Sequence, residues 1–345
     1  MITTIPSNKY IPGLDGMRAI SILLVIFAHL GFENFVPGGL GVTIFFFISG
    51  FLITRLIRAE MLETNDFRLD NFYFRRLLRL FPALFVYVML MLIFVTVTDM
   101  VHITTGQLSA ALLYYVNYHG LVNTHGNVVP WGQLWSLAVE EHFYVVFPLI
   151  LIALKRRTVL VQLAATVVMI ILSATWRTFI FSYFHNSDYV YAASDTRFEN
   201  IAWGCALALF LEAFGSSKVN LFYDSLAYKL QFLSALLILL MTLVFRDETF
   251  RNTVRFTLQS QALFMLFISL YFDKTLNKII SVLEWQPFRF VGKLSYSLYL
   301  WHWPLIWFCH QTHTTITFTR AGLILALSFG LAWVSYRYVE TPIMA

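Results

Sequence analysis

Long, uninterrupted apolar stretches divide this chain, and polar residues concentrate in the short segments between them. The apolar runs lie at 14–31, 38–54, 81–101, 107–123, 134–154, 158–181, 198–214, 230–245, 255–272, 290–311 and 318–338. Most approach the roughly 20 residues that a helix needs to cross a bilayer. Strands of a membrane barrel would instead alternate apolar and polar positions. The pattern predicts an all-α, polytopic membrane protein that forms a single domain over residues 1–345.

The distribution of lysine and arginine predicts how these helices are oriented. Four basic clusters should face the cytoplasm, at 55–79, 155–157, 218–229 and 274–293. The run 107–123 is the least apolar, and full crossing by it would place the cluster 155–157 outside. We therefore predict about ten transmembrane helices, a re-entrant or interfacial segment at 107–123, and cytoplasmic termini. One basic segment, 246–255, disagrees, because it is predicted to lie outside.

Composition supports the membrane assignment and excludes several other classes. Of the 345 residues, 59% are hydrophobic and only 12% are charged, and the mean hydropathy is +0.70; soluble proteins carry about 25% charged residues. Arg18 interrupts the first run and no cleavage motif follows, so we expect no removed signal peptide. We find no nucleotide-binding loop and no metal-ligand spacing, and predict no metal, no permanently bound cofactor and no nucleic-acid partner. We predict a multi-pass protein of the cytoplasmic (inner) membrane, in contact with membrane lipid.

Arg18 and His29 are the polar residues of the first apolar run. An arginine at mid-helix costs roughly 2.5–3.5 kcal/mol on insertion scales, so such a residue usually faces a protein interior and has a function. Eleven residues at 100° each give nearly three full turns, which places both side chains on one helix face, roughly 16 Å apart along the axis. We predict that they belong to one polar path.

Further polar residues gather in the outer half of the predicted bundle. Glu140 and Glu141 lie one to two turns below the outer surface, which by counting is the depth of His29. Asp195 and Arg197 open another span from the same side, and His302 falls in the outer half of its span. Histidine, carboxylate and arginine together are suited to general acid–base chemistry on a hydroxyl group.

Seven motifs, in order along the chain, give it a resemblance to a known family. They are Leu14-Asp15-Gly16-Met17-Arg18-Ala19-Ile20 leading to His29, and the segments 38–53, 72–82, 135–144, 195–197, 292–304 and 335–342. This set resembles the acyltransferase-3 family of membrane-bound O-acyltransferases, except that His142 stands where glutamine is usual. The resemblance covers residues 11–342. Many relatives carry a second, hydrolase-like domain after the membrane part, and we expect this chain to be a stand-alone member without one.

The resemblance implies transfer of an acyl group, commonly acetyl, from a cytoplasmic coenzyme A thioester to a hydroxyl group. The acceptor would be an extracytoplasmic or lipid-linked glycan, such as a lipopolysaccharide, exopolysaccharide or oligosaccharide. Arg18 and His29 match residues that the resemblance implies are essential. Neither the acceptor nor the acyl chain can be read from these residues, and a homo-oligomer is compatible with the sequence.

A mechanism follows as a hypothesis. Arg75, Arg76 and Arg79 are spaced so that one helix face presents several cations to the phosphates of acyl-CoA. Arg18 would bind a phosphate or the thioester carbonyl oxygen. His29 would act as general base, oriented by Glu140, or would carry the acyl group as a covalent intermediate. These two alternatives are open at the level of sequence.

Five residues are further candidates for substrate binding: Asp15, Asp195, Arg197, Tyr296 and His302. Some of these have structural alternatives. Asp195 with Arg197 could be a charge pair at a helix N-terminus. His302 could be a packed, hydrogen-bonded histidine. The arginines of 55–79 also serve as orientation signals and as anchors for lipid phosphates.

Two other functions compete with the enzyme. A transporter or flippase would use buried arginine, histidine and glutamate to bind or relay protons. Such a protein often shows internal repeats, and we find none in this sequence. A non-catalytic membrane partner in envelope assembly is the third possibility.

Overall fold

The computed structural model describes residues 10–64, 66–123, 129–219 and 225–344, and every secondary-structure element in these ranges is a helix. The longer helices are α1 (Leu14–Phe27), α2 (Gly38–Thr64), α3 (Leu69–Thr98), α6 (Trp135–Ala153), α7 (Val159–Phe184), α9 (Ser194–Val219), α10 (Ser225–Val244), α12 (Arg255–Phe272), α15 (Ser295–Gln311) and α16 (Phe318–Ser335). The shorter helices are α4 (Thr105–Leu112), α5 (Val116–Val122), α8 (Ser187–Ala192), α11 (Glu248–Thr253), α13 (Asn277–Leu283), α14 (Gln286–Lys293) and α17 (Thr341–Met344). The predicted all-α class is confirmed for these ranges.

Eight helical segments of the described chain are long and apolar enough to cross a membrane. They are Leu14–Phe32, Gly38–Thr64, Leu69–Thr98, Gly132–Ala153, Val159–Phe184, Ser187–Gly215, Ser225–Val244 and Phe318–Ile343. The other two predicted spans correspond to α12, with 18 residues, and α15, with 17. The run 290–311 is divided, because α14 ends at Lys293 and α15 begins at Ser295. The chain is therefore a polytopic helical membrane protein, and the count of ten spans stays a prediction.

The segment predicted to be re-entrant forms two short helices. α4 has 8 residues and α5 has 7, so each is only about 10–12 Å long and too short to span a bilayer. Tyr114 lies between them in the left-handed region, with φ 58°. It interacts electrostatically with Arg76 and Glu141, which belong to two long helices of the bundle. The turn between α4 and α5 thus reaches the interior of the bundle.

The basic clusters predicted to be cytoplasmic lie at one end of the bundle. Lys155, in the turn between α6 and α7, binds Asp66, in the turn between α2 and α3, at 2.9 Å. Near the end of α2, Arg58 donates to Glu212 of α9 at 2.9 Å. These contacts hold the turns of the first and second clusters, and the part of α9 that leads to the third, at one end of the bundle.

The fourth cluster and the start of the described chain lie at the same end. Tyr10 donates to Glu284, which follows α13, at 2.8 Å. Tyr271, near the end of α12, donates to the backbone carbonyl of Pro12. Lys218, a member of the third cluster, lies outside the residues whose side chains the structure describes.

α2 forms the centre of the bundle. In its most apolar stretch 72% of the residues are buried, compared with 17% in α10, which presents most of its surface outward. Glycines let α2 and α9 approach closely: a Cβ atom on Gly50 would overlap the backbone of Ile201, and one on Gly204 would overlap the backbone of Phe47. This contact holds α2 in position, and the polar residues of α1 and α6 lie against α2.

Candidate active site

His29 lies where α1 changes its geometry. From Ala28 to Phe32 the helix continues as a π-helical turn, and Gly31 within it has φ 97°, a conformation that favours glycine. Wide turns of this kind occur mostly as single inserts and often at functional sites. The turn places His29 at the end of the bundle opposite to the basic clusters.

His302 of α15 is the direct partner of His29. The Nδ1 atom of His29 lies 3.0 Å from the Nε2 atom of His302. The two rings are stacked, with centroids 5.3 Å apart and planes within 3° of parallel. The indole of Trp303 meets the ring of His29 edge-on at 5.0 Å. His302 is fully buried, whereas His29 is half-buried.

The hydrogen bonds fix which nitrogen of each ring carries a proton. The Nδ1 atom of His302 lies 3.0 Å from the carbonyl oxygen of Leu298, which can only accept, so this nitrogen is the donor. In the neutral ring, Nε2 of His302 then accepts from the Nδ1–H group of His29. The Nε2 atom of His29 is left with a lone pair that can take a proton.

A cavity of about 1770 Å³ opens in front of His29. Its walls include the aromatic side chains of Trp135, Tyr191, Tyr299 and Trp303. Ligand pockets for small molecules usually measure 300–1,000 Å³, so this cavity is large enough for an extended ligand. His302 is not among the lining residues; the structure places it behind His29, as a packed, hydrogen-bonded histidine and not as a substrate contact.

Glu140 does not contact His29, which corrects the expected arrangement. Its carboxylate accepts from Ser49 at 3.0 Å and from Tyr144 at 3.3 Å, and lies 3.9 Å from Arg76. The predicted depth was wrong because Ser136, one turn earlier on α6, occupies the level of the cavity. Ser136 hydrogen-bonds the cavity residue Tyr299 at 2.6 Å.

Arg18 belongs to the same inner level as Glu140. It interacts electrostatically with Glu140, and also with Arg79 and Glu340. Glu340 in turn accepts a hydrogen bond from Ser297 of α15. Since α1 rises about 1.5 Å per residue, this inner cluster lies roughly 16 Å from His29. One substrate carbonyl therefore cannot contact Arg18 and His29 together.

The three arginines predicted to bind the coenzyme point in different directions. All three lie within α3, which begins at Leu69 and not near residue 81. Arg76 faces the bundle, where its Nε atom lies 2.9 Å from Glu141 and its guanidinium stacks 3.4 Å above the ring of Tyr144. Arg75 is exposed and lies 3.7 Å from Glu60. Arg79 is exposed on the side of Arg18. They do not form the single cationic face that their spacing suggested.

Asp195 and Arg197 are separated in the structure. Asp195 accepts from Trp176 at 2.6 Å, Tyr189 at 2.9 Å and Tyr118 at 3.3 Å, so its carboxylate is used within the fold and it does not line the cavity. Arg197 is fully buried and makes no ion pair with Asp195 among the described residues. Its guanidinium lies 3.9 Å from the ring centroid of Phe256. The expected charge pair is therefore not formed.

Asp15 and Tyr296, two further candidates for substrate binding, also lie away from the cavity. Asp15 is in the first turn of α1, at the end remote from His29. Tyr296 donates to the backbone carbonyl of Leu80 at 2.8 Å and so connects α15 to α3. Neither lines the cavity.

Several residues of the cavity were missed by sequence reasoning. The aromatic residues Trp135, Tyr191 and Trp303 look like ordinary membrane residues in the sequence, and no local signal separates them from the others. Gln133 offered a signal, because an amide at the edge of an apolar run needs a partner. It is buried and donates to Tyr87 at 2.9 Å. Glu340 offered the same signal at the end of the last run.

Within the described ranges, no group of three or more histidine, cysteine, aspartate or glutamate side chains could hold a metal ion.

The profile of the acyltransferase domain family, Acyl_transf_3, matches residues 11–337. The match includes His29, its partner His302 and the whole inner cluster except Glu340. No solved structure matches the chain.

Curated proteins with similar sequences come from several bacteria. YrhL of Bacillus subtilis is 32% identical over 97% of this chain. The O-acetyltransferase OatA of Staphylococcus aureus is 31% identical over 98%, and the peptidoglycan O-acetyltransferase OatA of Listeria monocytogenes is 31% identical over 99%. The chain spans 55–58% of the length of these three relatives.

Proposed function

Since this chain belongs to the acyltransferase-3 family, we propose that it is a membrane O-acetyltransferase. Its donor is a cytoplasmic acyl-CoA, and its acceptor is a hydroxyl group of a cell-wall glycan outside the membrane. The peptidoglycan O-acetyltransferase of Listeria monocytogenes, which is similar over nearly the whole chain, supports this class of acceptor. The observation that carries the proposal is that His29 lines a large cavity while His302 holds its Nδ1 atom, which leaves Nε2 available to an acceptor within the described part of the chain.

The chemistry at His29 is general base catalysis. Nε2 takes the proton from the acceptor hydroxyl as its oxygen attacks the carbonyl carbon of the thioester. The new ester bond forms, the carbon–sulfur bond breaks, and the coenzyme A thiolate leaves with the bonding electrons. The proton on His29 then passes to that thiolate. His302 is a positioning residue, since it acts on the acceptor only through His29.

A covalent variant of this scheme uses the same atoms. Nε2 of His29 attacks the thioester carbon and carries the acetyl group while the thiolate leaves. The acceptor hydroxyl then attacks the acetyl carbon, the bond from that carbon to Nε2 breaks, and the hydroxyl proton passes to the thiolate. The variant fits a path in which donor and acceptor approach from opposite ends of the bundle. The two schemes give the same products and differ in one intermediate, an acetylated His29.

The inner cluster is suited to hold the donor. Arg79 lies at the exposed surface of α3, and Arg18 of α1 lies further inside the bundle, within electrostatic range of Arg79. Both can hold anionic groups of the coenzyme, while its long, thin pantetheine arm continues toward His29. In this arrangement Arg18 binds the donor and does not touch the reacting carbonyl. Arg76 is already paired with Glu141, so it organises the cluster.

The orientation of the bundle follows from its basic end. Described residues of the first, second and fourth basic clusters lie at one end, and positive charge is normally retained in the cytoplasm. We place both termini in the cytoplasm, with ten crossings of the cytoplasmic membrane if α12 and α15 both cross. The cavity of His29 then opens outward, where a cell-wall glycan is found.

Reconstitution tests this function directly. Purified protein in liposomes, with outward-facing cavities, is given labelled acetyl-CoA inside and peptidoglycan glycan strands outside. We expect labelled acetyl esters on the glycan, detected by mass spectrometry, and none from empty liposomes. A protein that neither cleaves the thioester nor acetylates any glycan would contradict the proposal. That result would favour a transporter, for which the buried Arg76, Glu140 and Glu141 are the supporting observation.

A further inference from the structure

Three arginines form part of the cavity wall in a segment where the bias of charge predicts few cations. Arg251 belongs to α11, Arg246 precedes that helix and Arg255 follows it, at the outer end of the bundle. Positive residues are normally retained on the cytoplasmic side. All three line the cavity that contains His29. A departure from the positive-inside pattern at a cavity wall calls for a functional reason. We call these three residues the arginine wall.

Two acidic residues near the arginine wall are engaged elsewhere. Asp247 accepts from the backbone nitrogen of Phe250 at 2.7 Å and caps α11. Glu248 accepts from Ser187 at 3.4 Å. Across the described part of the chain, no salt bridge reaches any arginine of the wall. Glu33, Asp188 and Glu248 also line the cavity. Within the described residues, however, none of them forms a salt bridge with an arginine of the wall, so these guanidinium groups keep unpaired positive charge at the cavity.

One guanidinium group of the wall and one behind it have buried nitrogens that lack hydrogen-bond partners among the described residues. The Nε atom of Arg255 is buried without a hydrogen bond, and so are all three nitrogens of Arg197 directly behind it. Phe256 lies between them, 4.7 Å from the guanidinium carbon of Arg255 and 3.9 Å from that of Arg197. A buried cation without a counter-charge is costly, and aromatic contacts offset only part of that cost.

Like charges also repel one another here. Arg255 interacts electrostatically with Arg246 and Arg251. It interacts in the same way with Arg177, and of these residues only Arg177 has a carboxylate partner, the buried Glu199. An anion in the cavity would relieve this repulsion and supply a counter-charge near the buried guanidinium groups.

We propose that the arginine wall binds an anionic group, a carboxylate or a phosphate, that belongs to the acceptor glycan. The inference rests on the proposed function and deepens it, because it assigns a charge class to the acceptor. Arg255 and His29 line one cavity, so an anion held at the wall orients the rest of the glycan toward Nε2 of His29. The phosphates of the donor are excluded as the ligand, because the cytoplasmic clusters lie at the opposite end of the bundle.

A binding experiment with matched sugars tests this proposal. The purified protein, in neutral detergent, is titrated with an N-acetylglucosamine tetramer, with its carboxymethylated form and with N-acetylglucosamine 1-phosphate. We expect one or both anionic sugars to bind at least about tenfold more tightly than the neutral tetramer, with affinity falling as salt is added. The carboxylate arm and the phosphate arm identify which group the wall prefers.

Variants assign the preference to the wall. Arg255→Gln and Arg251→Gln should each weaken binding of the preferred anion about tenfold and leave the neutral tetramer unchanged. Arg157→Gln, an exposed arginine at the other end of the bundle, is the matched control and should change neither. Equal binding of charged and neutral sugars by the wild type would overturn the proposal. Loss of both sugars in Arg255→Gln would also overturn it, by showing a structural effect.

The outcome is separable from that of the acetyl-transfer experiment. His29→Ala should retain the preference for the anionic sugar while losing transfer. A wild-type protein that prefers the anionic sugar but cleaves no acetyl-CoA would support anion binding by the arginine wall and overturn the proposed reaction. A wild-type protein that acetylates glycans without any charge preference would overturn only the proposal that the arginine wall binds an anion.

Discussion

The Nδ1 atom of His29 lies 3.0 Å from the Nε2 atom of His302, and the two imidazole rings are parallel within 3°. In the proposed reaction, a histidine takes the orienting role that a carboxylate performs in many hydrolases. Because the Nδ1–H group of His302 donates to the carbonyl of Leu298, this backbone contact determines the tautomer of His302 and, through it, that of His29. The proposed base, His29, is held in one tautomer, and its direct partner is a neutral imidazole and not a carboxylate.

Removal of the orienting ring should lower turnover without abolishing it. In His302→Ala, His29 loses its partner and samples both tautomers, so we expect kcat to fall about 10- to 100-fold with little change in KM for acetyl-CoA. His302→Gln can still accept from His29 through its amide oxygen and should recover part of the loss. A change in the pH profile of kcat in His302→Ala, with an unchanged melting temperature, separates positioning from a structural effect. Identical kinetics in the wild type and His302→Ala would contradict the assigned role.

The pair Arg76 and Glu141 should contribute more to stability than to the reaction. The two side chains are mostly buried and lie 2.9 Å apart. Glu141→Gln leaves the cation of Arg76 poorly compensated, and we expect the free energy of unfolding to fall by about 3 kcal/mol. Denaturation in detergent, followed by circular dichroism, measures the loss.

The control for that prediction is a similar pair on the surface. Arg75 lies 3.7 Å from Glu60 and is exposed, so Glu60→Gln should change the free energy of unfolding by less than about 1 kcal/mol. Equal losses in Glu60→Gln and Glu141→Gln would show that burial does not distinguish the two pairs.

The glycine contact between α2 and α9 should tolerate no side chain. In Gly50→Ala the new methyl group overlaps the backbone of Ile201, so we expect a loss of about 1–3 kcal/mol in stability and poor membrane expression. Gly330→Ala in α16 meets no atom within 4 Å and should be neutral or slightly stabilising, as alanine favours helix. The melting temperatures of the two purified variants decide the matter. Equal values would contradict the close packing.

Cysteine labelling tests the orientation of the bundle. In a Cys309→Ser background, Thr315→Cys lies in the exposed segment beside the cavity, and Arg156→Cys lies in the basic turn between α6 and α7. An impermeant reagent added to intact cells should label Thr315→Cys only. Labelling of Arg156→Cys, with protection of Thr315→Cys, would reverse the orientation.

The sequence was sufficient to predict the fold class and to single out His29, which lines the cavity, but it was insufficient to predict the partner of His29. Arg18 and His29 could be recognised because each is costly in an apolar run, which is a local property. The partner of His29 depends on which face of α15 turns inward, and the hydrophobic pattern of that helix, apolar on most sides, does not specify a face. Glu140 was placed too far out for a related reason. Depth was counted from the end of a run, whereas Ser136 and Glu140 are one turn apart and face different neighbours.

The most direct test of the central claim compares two histidines of the same cavity. His29→Ala and His310→Ala both remove an imidazole from the cavity wall, but only His29 is held by a second ring. Transfer of labelled acetyl from acetyl-CoA to glycan strands is measured for both variants and the wild type. We expect His29→Ala to lose at least about 100-fold in turnover and His310→Ala to stay within about twofold. Wild-type turnover in His29→Ala would contradict the claim that His29 is the base.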